Sequence, residues 1–433
     1  MRFYSTNSPS TFTSLGEAIM KSLPEDNGLF MPETIPALSP EFFNNIERSS
    51  FSEIAFEVAK QYLSPDLSLE EIRKITDDAI NFPVPLVELD KGTFMLELFH
   101  GPTLAFKDVG ARFMSRTMAL LNKNQSKKLT ILVATSGDTG SAVANGFYKV
   151  EGIEVIILYP SGKVSPLQEK QLTTLGENIS ALEINGTFDD CQRMVKQAFL
   201  DTTFREKYRL SSANSINIAR LIPQSFYYID AYRQLKDKSS PFYFSVPSGN
   251  FGNLTAGLLA KRMGLPVSGF IASTNVNNSV PRYLTSGEYQ PTNTKATISN
   301  AMDVGAPSNF ARMNHLYHES VNEMRNDITG YFFDDDATRA EMVNTYSHNR
   351  YILDPHGAVG LLGWKEFKKS APSNAQGIVL ETAHPTKFID VVKETLNVEP
   401  EIPKALADLI NLEKKSIVMG PDYEGLKAFL MSR

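Results

Sequence analysis

The chain reads as an α/β protein whose strands form parallel sheet with helices on both faces, and three observations lead there. Apolar runs of strand length, Leu129 to Ala134, Ile153 to Tyr159 and Phe242 to Val246, are almost continuously hydrophobic, as strands buried on both sides must be. The first and third run into glycine-containing loops, Thr135-Ser-Gly-Asp-Thr-Gly140 and Ser248-Gly-Asn-Phe-Gly-Asn253, followed by stretches with helical spacing. The strand, loop, helix, strand unit then recurs, which is the pattern of a parallel sheet rather than of hairpins. A length of 433 residues implies two or three domains rather than one core.

Taken in order, residues 1–82 form a mixed leading segment. Phe12 to Leu23 reads as weakly helical, and Gly28-Leu-Phe-Met-Pro32 as a turn with an apolar plug. Phe51 to Leu63 places Ile54, Ala55, Val58, Ala59 and Tyr62 at helical spacing, and Leu69 to Ile80 repeats this with Ile72, Ile75 and Ala79. Pro83 and Pro85 close the segment, because each lacks an amide donor and biases its predecessor away from helix. Beyond the first strand, a helix is expected over Ser141 to Val150. Ser165-Pro166 with Gln168 predicts a capped helix that Gly176 ends. Ile179 to Ile184 alternates as a strand, and Thr187 to Phe204 returns to helix. Leu254 to Met263, stopped by Gly264, is a helix before the strand Val267 to Ser273. Asp334-Asp335-Asp336 suits a helix N-terminus, where carboxylates meet the partial positive charge, and consecutive positions make a poor metal site. The tail after Thr386 is expected to be mainly helical.

Composition excludes several classes. A net charge of -6 with no long basic run argues against nucleic-acid binding. Nothing matches the roughly 18 consecutive apolar residues of a membrane span. The start, Met1-Arg-Phe-Tyr-Ser-Thr-Asn7, lacks the apolar core of a secretion signal. The single cysteine, Cys191, precludes an internal disulfide, and its neighbours carry no nucleophile signature. A cytoplasmic location is expected.

Chemistry concentrates in three segments. Lys107 stands between Phe106 and a helix start at Asp108, after a Gly-Pro turn. A desolvated ammonium loses its proton more readily, and only a neutral amine forms a Schiff base. Ser248 to Asn253 lies between a strand and a helix, where glycines let amides approach an anion and the helix dipole favours it. It has neither the Lys-Ser/Thr ending of a nucleotide loop nor dinucleotide spacing. Thr135 to Thr139 offers hydroxyls and amides at another helix start, where Thr139 or Ser141 can also serve as a plain cap. One loop suits a cofactor phosphate and the other a substrate carboxylate, which together with the lysine points to pyridoxal 5'-phosphate and an amino acid.

Several motifs carry a resemblance. His100-Gly-Pro-Thr-Leu-Ala-Phe-Lys-Asp108, Ala134-Thr-Ser-Gly-Asp-Thr-Gly140 and Pro247-Ser-Gly-Asn-Phe-Gly-Asn253 resemble those of the threonine synthase family. So do Asn214-Ser-Ile-Asn-Ile-Ala-Arg220, Thr274-Asn-Val-Asn277 and Thr382-Ala-His-Pro385, and the likeness covers nearly the whole chain. It implies pyridoxal-phosphate fold type II, with two parallel-sheet three-layer domains, an added N-terminal α/β segment and a helical C-terminal tail. The implied divisions are 1–82, a catalytic core over 83–388 with a smaller mobile subdomain near 108–210, and 389–433. It further implies a lyase that converts O-phosphohomoserine and water to threonine and phosphate, as a monomer or homodimer, with no metal.

The resemblance also assigns roles. Lys107 would bond the cofactor aldehyde and act as general base. Gly249, Asn250, Phe251, Gly252 and Asn253 would cradle the cofactor phosphate, and Thr382 would meet the pyridine nitrogen. Thr135, Ser136, Gly137, Asp138 and Thr139 would hold the substrate carboxylate. Ser215, Asn217 and Arg220 would bind the substrate phosphate, for which a guanidinium is well shaped. Two positions depart from pattern. Asp138 puts a carboxylate where a substrate carboxylate is expected, so it should point elsewhere or orient the loop. Gly357, in Asp354-Pro-His-Gly-Ala358, stands where a bulkier residue is usual, and His356 beside it receives no role. His384 is expected to be structural.

Overall fold

In the computed structural model, which describes residues 1–123 and 125–433, two mainly parallel sheets carry the site. The larger has six strands in the order Ile328–Phe332, Gly269–Thr274, Phe242–Pro247, Gln376–Glu381, Thr93–Glu97 and Leu86–Asp90, with only the last antiparallel. The smaller has five parallel strands in the order Ser416–Met419, Ile179–Ile184, Ile153–Pro160, Leu129–Ala134 and Arg209–Ser212. Side chains of each strand alternate between faces, so each sheet needs two covering layers. Ile131, Val133, Val155 and Ile157 enter the main core, whereas Leu132, Ala134, Ile156 and Leu158 meet Cys191 and Met194 of the helix Phe188–Leu200. The larger sheet divides likewise. Phe270, Ala272, Ile378 and Leu380 face the main core, while Ile271 and Val379 meet Leu361 and Trp364 of the helix Pro355–Lys368.

The expected strands are present, and the departures occur where side-chain caps or distant pairing decide the outcome. The leading segment contains an antiparallel sheet of Ser8–Ser14, Arg2–Ser5 and Phe30–Pro32. The helix expected from Phe12 is therefore the shorter Leu15–Lys21, started where Ser14 accepts from the Glu17 amide. The span from Thr187 divides into Phe188–Leu200 and Thr202–Lys207, each with its own cap, Thr187 and Asp201. Asp334 caps Asp335–Asn349 by accepting from the Ala337 amide at 2.9 Å, as its position suggested. The tail is not wholly helical. Ser416–Met419 extends the smaller sheet beside Ile179–Ile184, and Leu426 and Leu430 of the final helix complete its outer core. A short run of apolar residues carries no local sign of so distant a partner.

Candidate active site

Lys107 opens the helix Lys107–Asn122, one residue before the expected start. The preceding loop is clamped twice. Asp108, fully buried, accepts from the Thr103 amide at 2.8 Å and from its hydroxyl at 2.6 Å. Phe106 N donates to Thr382 O at 2.9 Å and His384 N to Leu104 O at 3.0 Å, which ties the lysine loop to the end of the Gln376–Glu381 strand. Lys107 and Thr382 are thus brought side by side by backbone pairing. Leu104 takes a φ of 58°, left-handed backbone that a leucine adopts only when its surroundings enforce it. The Lys107 side chain is half-buried, and its titration falls from the ordinary lysine value to about 8. Desolvation is the main cause, with Asp138 opposing it and Lys387 and Arg220 reinforcing it.

The loop at 248–253 leads into the helix Gly252–Arg262, with Phe251 left-handed at φ 60° immediately before it. A side chain at Gly249 would lie 2.7 Å from Met302 Cα, so only glycine allows this approach. Ala301, next to Met302, is held in turn because its amide donates to His356 Nε2 at 3.2 Å. Asn250 Nδ2 donates to Ser215 Oγ at 2.6 Å, and Asn250 Oδ1 accepts from the Ser308 amide. Asn253 Oδ1 accepts from the Tyr227 and Tyr228 hydroxyls at 2.6 and 2.8 Å, which fixes the amide and leaves its Nδ2 buried with no partner. An unpaired buried donor is costly and marks a place for an acceptor.

Arg220 supplies a second such donor. It is buried against the Lys107 helix, and a side chain at Gly110 would lie 3.1 Å from its Nε. One Nη donates to Ala213 O at 2.6 Å, while Nε has no partner. Burial lowers its titration to about 10. Through Arg220, Ala213 and the Ser215–Asn250 bond, contacts run continuously from the Lys107 helix to the glycine loop.

Other assigned residues have partners of their own. The Asn217 amide donates to Ile19 O and Ser212 O and its oxygen accepts from Ala219 N, so it fixes its loop and has no hydrogen left for a ligand. The Thr135 hydroxyl accepts from the Gly137 and Gly140 amides, and it, not Thr139 or Ser141, organises the start of the helix Asp138–Phe147. Ser136 and Thr139 stay partly open. Asp138 points away from them and meets Lys387 Nζ at 2.8 Å and Gln168 Nε2 at 2.8 Å. Burial opposes its ionisation, but Lys387 and Lys107 overcome this and hold the carboxyl below its usual range.

Lys387 and Arg312 had no clear sequence signal, and Gly357 had one without a cause. Lys387 is buried and also donates to Thr103 O at 2.8 Å. Arg312 is fully buried, and among the described residues no carboxylate pairs with it. It donates to Phe30 O, Ser215 O and Ile216 O, binding the leading segment to the Ser215 loop. Gly357 is explained by Glu381, since a side chain there would lie 1.4 Å from Glu381 Oε2. Burial, then the neighbouring Asp354, raise the Glu381 carboxyl well above its normal titration. His384 caps the turn Pro385–Phe388 through Thr386, and burial lowers its titration to about 4, which keeps it neutral and structural.

These residues fit an aldehyde cofactor with a phosphate: an amine of low proton affinity, unpaired donors at Asn253 and Arg220, and a close-packed glycine loop. The comparisons agree. The family model for pyridoxal-phosphate dependent enzymes matches residues 80–380, that for the threonine synthase N terminus residues 2–80, and that for the threonine synthase C-terminal region residues 357–430. Threonine synthase from Haemophilus influenzae is 42% identical over 432 residues, covering 100% of both chains. The crystal structure of threonine synthase from Escherichia coli matches with a TM-score of 0.92 and 39% identity over 100% of both chains. That of pyridoxal-phosphate-bound threonine synthase from Brucella melitensis gives 0.94 at 34% identity, over 100% of this chain and 99% of that one. A lysine, two glycine-bearing helix starts and both terminal segments therefore agree, and the chain belongs to the threonine synthase family of pyridoxal-phosphate-dependent enzymes.

Proposed function

We propose that the protein converts O-phosphohomoserine and water to threonine and inorganic phosphate, with Lys107 holding the cofactor and then moving the protons. Pyridoxal phosphate, when bound, supplies the electron sink that makes the proton beside the amino group removable. Gly249 to Asn253 would hold its phosphate, with the unpaired Asn253 amide as a donor, and Thr382 would meet its ring nitrogen. A hydroxyl bonds that nitrogen without enforcing its protonation, which favours elimination and replacement over transamination.

Lys107, once free, takes the α proton and returns one at the γ carbon. Its titration near 8 matters here. At pH 7.5 an amine of that kind is neutral roughly a quarter of the time, against about one part in a thousand for an ordinary lysine. Ser136, Thr139 and the amides of their turn hold the substrate carboxylate, with Thr135 and Asp138 shaping that turn. Arg220 and Ser215 receive the substrate phosphate, and Asn217 keeps Ser215 and Arg220 in place.

The unpaired Arg220 Nε beside the Lys107 helix carries this reading, since a substrate without an anion at that end would leave it unsatisfied. Incubating the cofactor-loaded protein with O-phosphohomoserine should release threonine and phosphate in equal amounts. Ammonia from threonine, with no phosphate released from O-phosphohomoserine, would instead make it a dehydratase. We infer a cytoplasmic location, which a lone buried Cys191 suits, and a monomer or homodimer. Among the described residues no helix is long and apolar enough to cross a membrane.

A further inference from the structure

Lys387 is a charged group of the site to which the reaction above gives no work. It sits in the turn Pro385–Phe388, just past Thr382 on the larger-sheet side. Its Nζ lies 2.8 Å from Asp138 Oδ1 and 2.8 Å from Thr103 O. Asp138 belongs to the smaller-sheet side, in the first turn of Asp138–Phe147, and Thr103 belongs to the clamp that holds Asp108 and so Lys107. Gln168 donates to the same Asp138 oxygen, and Ser165 Oγ donates to Lys387 O at 3.3 Å. One buried ammonium thus joins the anion-binding turn, the lysine loop and the strand end that carries Thr382.

We propose that Lys387 is a positioning residue that neutralises Asp138 from across the junction of the two sheets, making the turn of residues 136–139 receptive to a carboxylate. Without it, the turn would present a buried negative charge to a negative ligand, and like charges in a site of low dielectric repel strongly. The charged groups that act here are Lys107, Asp108, Asp138, Arg220 and Lys387, with His384, at the start of the Lys387 turn, kept neutral mainly by burial. Asp138 raises the Lys107 titration and Lys387 lowers it, so the pair also balances the field at the reacting amine. This role rests on reading the 136–139 turn as the carboxylate cradle.

The test uses full-length Lys387→Met, Asp138→Asn and the double variant. In one arm, each cofactor-loaded protein is titrated with a phosphonate analogue of the amino-acid substrate, followed by the cofactor's visible spectrum. Lys387→Met should weaken binding at least about tenfold, and the double variant should regain most of that loss. A double variant as weak as Lys387→Met overturns the proposal, because a lost packing contact would not be rescued by removing the facing charge. In the other arm, cofactor-free protein captures pyridoxal phosphate across a pH series, whose midpoint reports Lys107. The midpoint should rise in Lys387→Met and fall in Asp138→Asn. Shifts in the same direction overturn the proposal. This arm contains no substrate, so it decides the charge balance even if O-phosphohomoserine proves not to be turned over. Should Lys387→Met fail to fold, the double variant is compared with Asp138→Asn instead: it should bind the phosphonate about as well and show the higher capture midpoint, and a double variant about tenfold weaker, or with an unraised midpoint, overturns the proposal.

Discussion

Gly357→Ala should be among the most damaging single-methyl changes in this protein. The added carbon would lie 1.4 Å from Glu381 Oε2, about 2 Å inside a normal contact distance. Glu381 is fully buried at the end of the Gln376–Glu381 strand, and its Oε1 accepts from the Asp354 amide at 3.0 Å. Making room means swinging the carboxyl away, which leaves that buried amide unpaired at a cost of about 1–3 kcal/mol. Overpacking the surrounding core adds about 1–3 kcal/mol. A loss of ~2–6 kcal/mol is expected from the two together. Trp364 is the single tryptophan and lies on the same helix as Gly357, so its fluorescence during urea unfolding reports on the layer that is disturbed. Thr382 follows Glu381 directly, so cofactor affinity should fall as well. Gly357→Ala in a Glu381→Ala background should cost little more than Glu381→Ala alone, because the new methyl enters vacated space. A Gly357→Ala variant within ~0.5 kcal/mol of the parent, or strictly additive effects in the double variant, would refute the reasoning.

The remaining predictions concern the charges around the cofactor. Asn253→Asp keeps the oxygen that Tyr227 and Tyr228 bond but replaces the free donor with a negative oxygen, so pyridoxal phosphate should bind at least about tenfold more weakly by equilibrium titration. Arg220→Met should raise KM for O-phosphohomoserine roughly 10- to 100-fold, the size of one or two bonds to a charged group, while the cofactor's visible band is retained. An unchanged KM would remove Arg220 from the substrate site. Capture of pyridoxal phosphate by the cofactor-free chain needs the neutral amine, so its rate should climb about tenfold per pH unit and level off near pH 8. A rate still climbing to pH 10 would mean that Lys107 titrates as an ordinary lysine.

What the sequence disclosed was local chemistry, and what it hid was long-range pairing. The strands Leu129–Ala134 and Phe242–Pro247, their glycine-bearing turns and the Asp334 cap are each set by a handful of adjacent residues, so periodicity and cap preference located them to within a few positions. Ser416–Met419 becomes a strand only because Ile179–Ile184 offers a free edge more than two hundred residues earlier. Asn217 and Thr135 carry the right polar atoms for ligand binding, yet backbone groups of neighbouring loops claim those atoms, which no motif states. Lys387 lies two residues past a motif that was singled out. Nothing in Pro385-Thr-Lys387 reveals that its ammonium is buried against Asp138. Gly357 stood out as unusual, but its cause, Glu381, is a neighbour only in three dimensions.

The charges hidden around the site point the same way as the unpaired donors. Lys387, Arg220 and Arg312 are buried cations, half-buried Lys107 is a fourth, and the buried carboxylates facing them are Asp138 and Asp108. Burying cations without matching anions is expensive, and Arg312 is held by carbonyl oxygens alone, with burial lowering its titration to about 9. A protein bears that cost where the missing anions come from outside. A cofactor phosphate at the glycine loop and a substrate phosphate at Arg220 would supply them, one at each end of the Ser215–Asn250 bond. Folding leaves the positive excess unbalanced, and binding removes it. The cofactor-free protein should therefore gain thermal stability from millimolar inorganic phosphate but not from chloride at equal ionic strength, and Arg220→Met should reduce that gain. Equal effects of the two salts would mean that the excess is neutralised within the protein, and the anion sites inferred from it would lose their support.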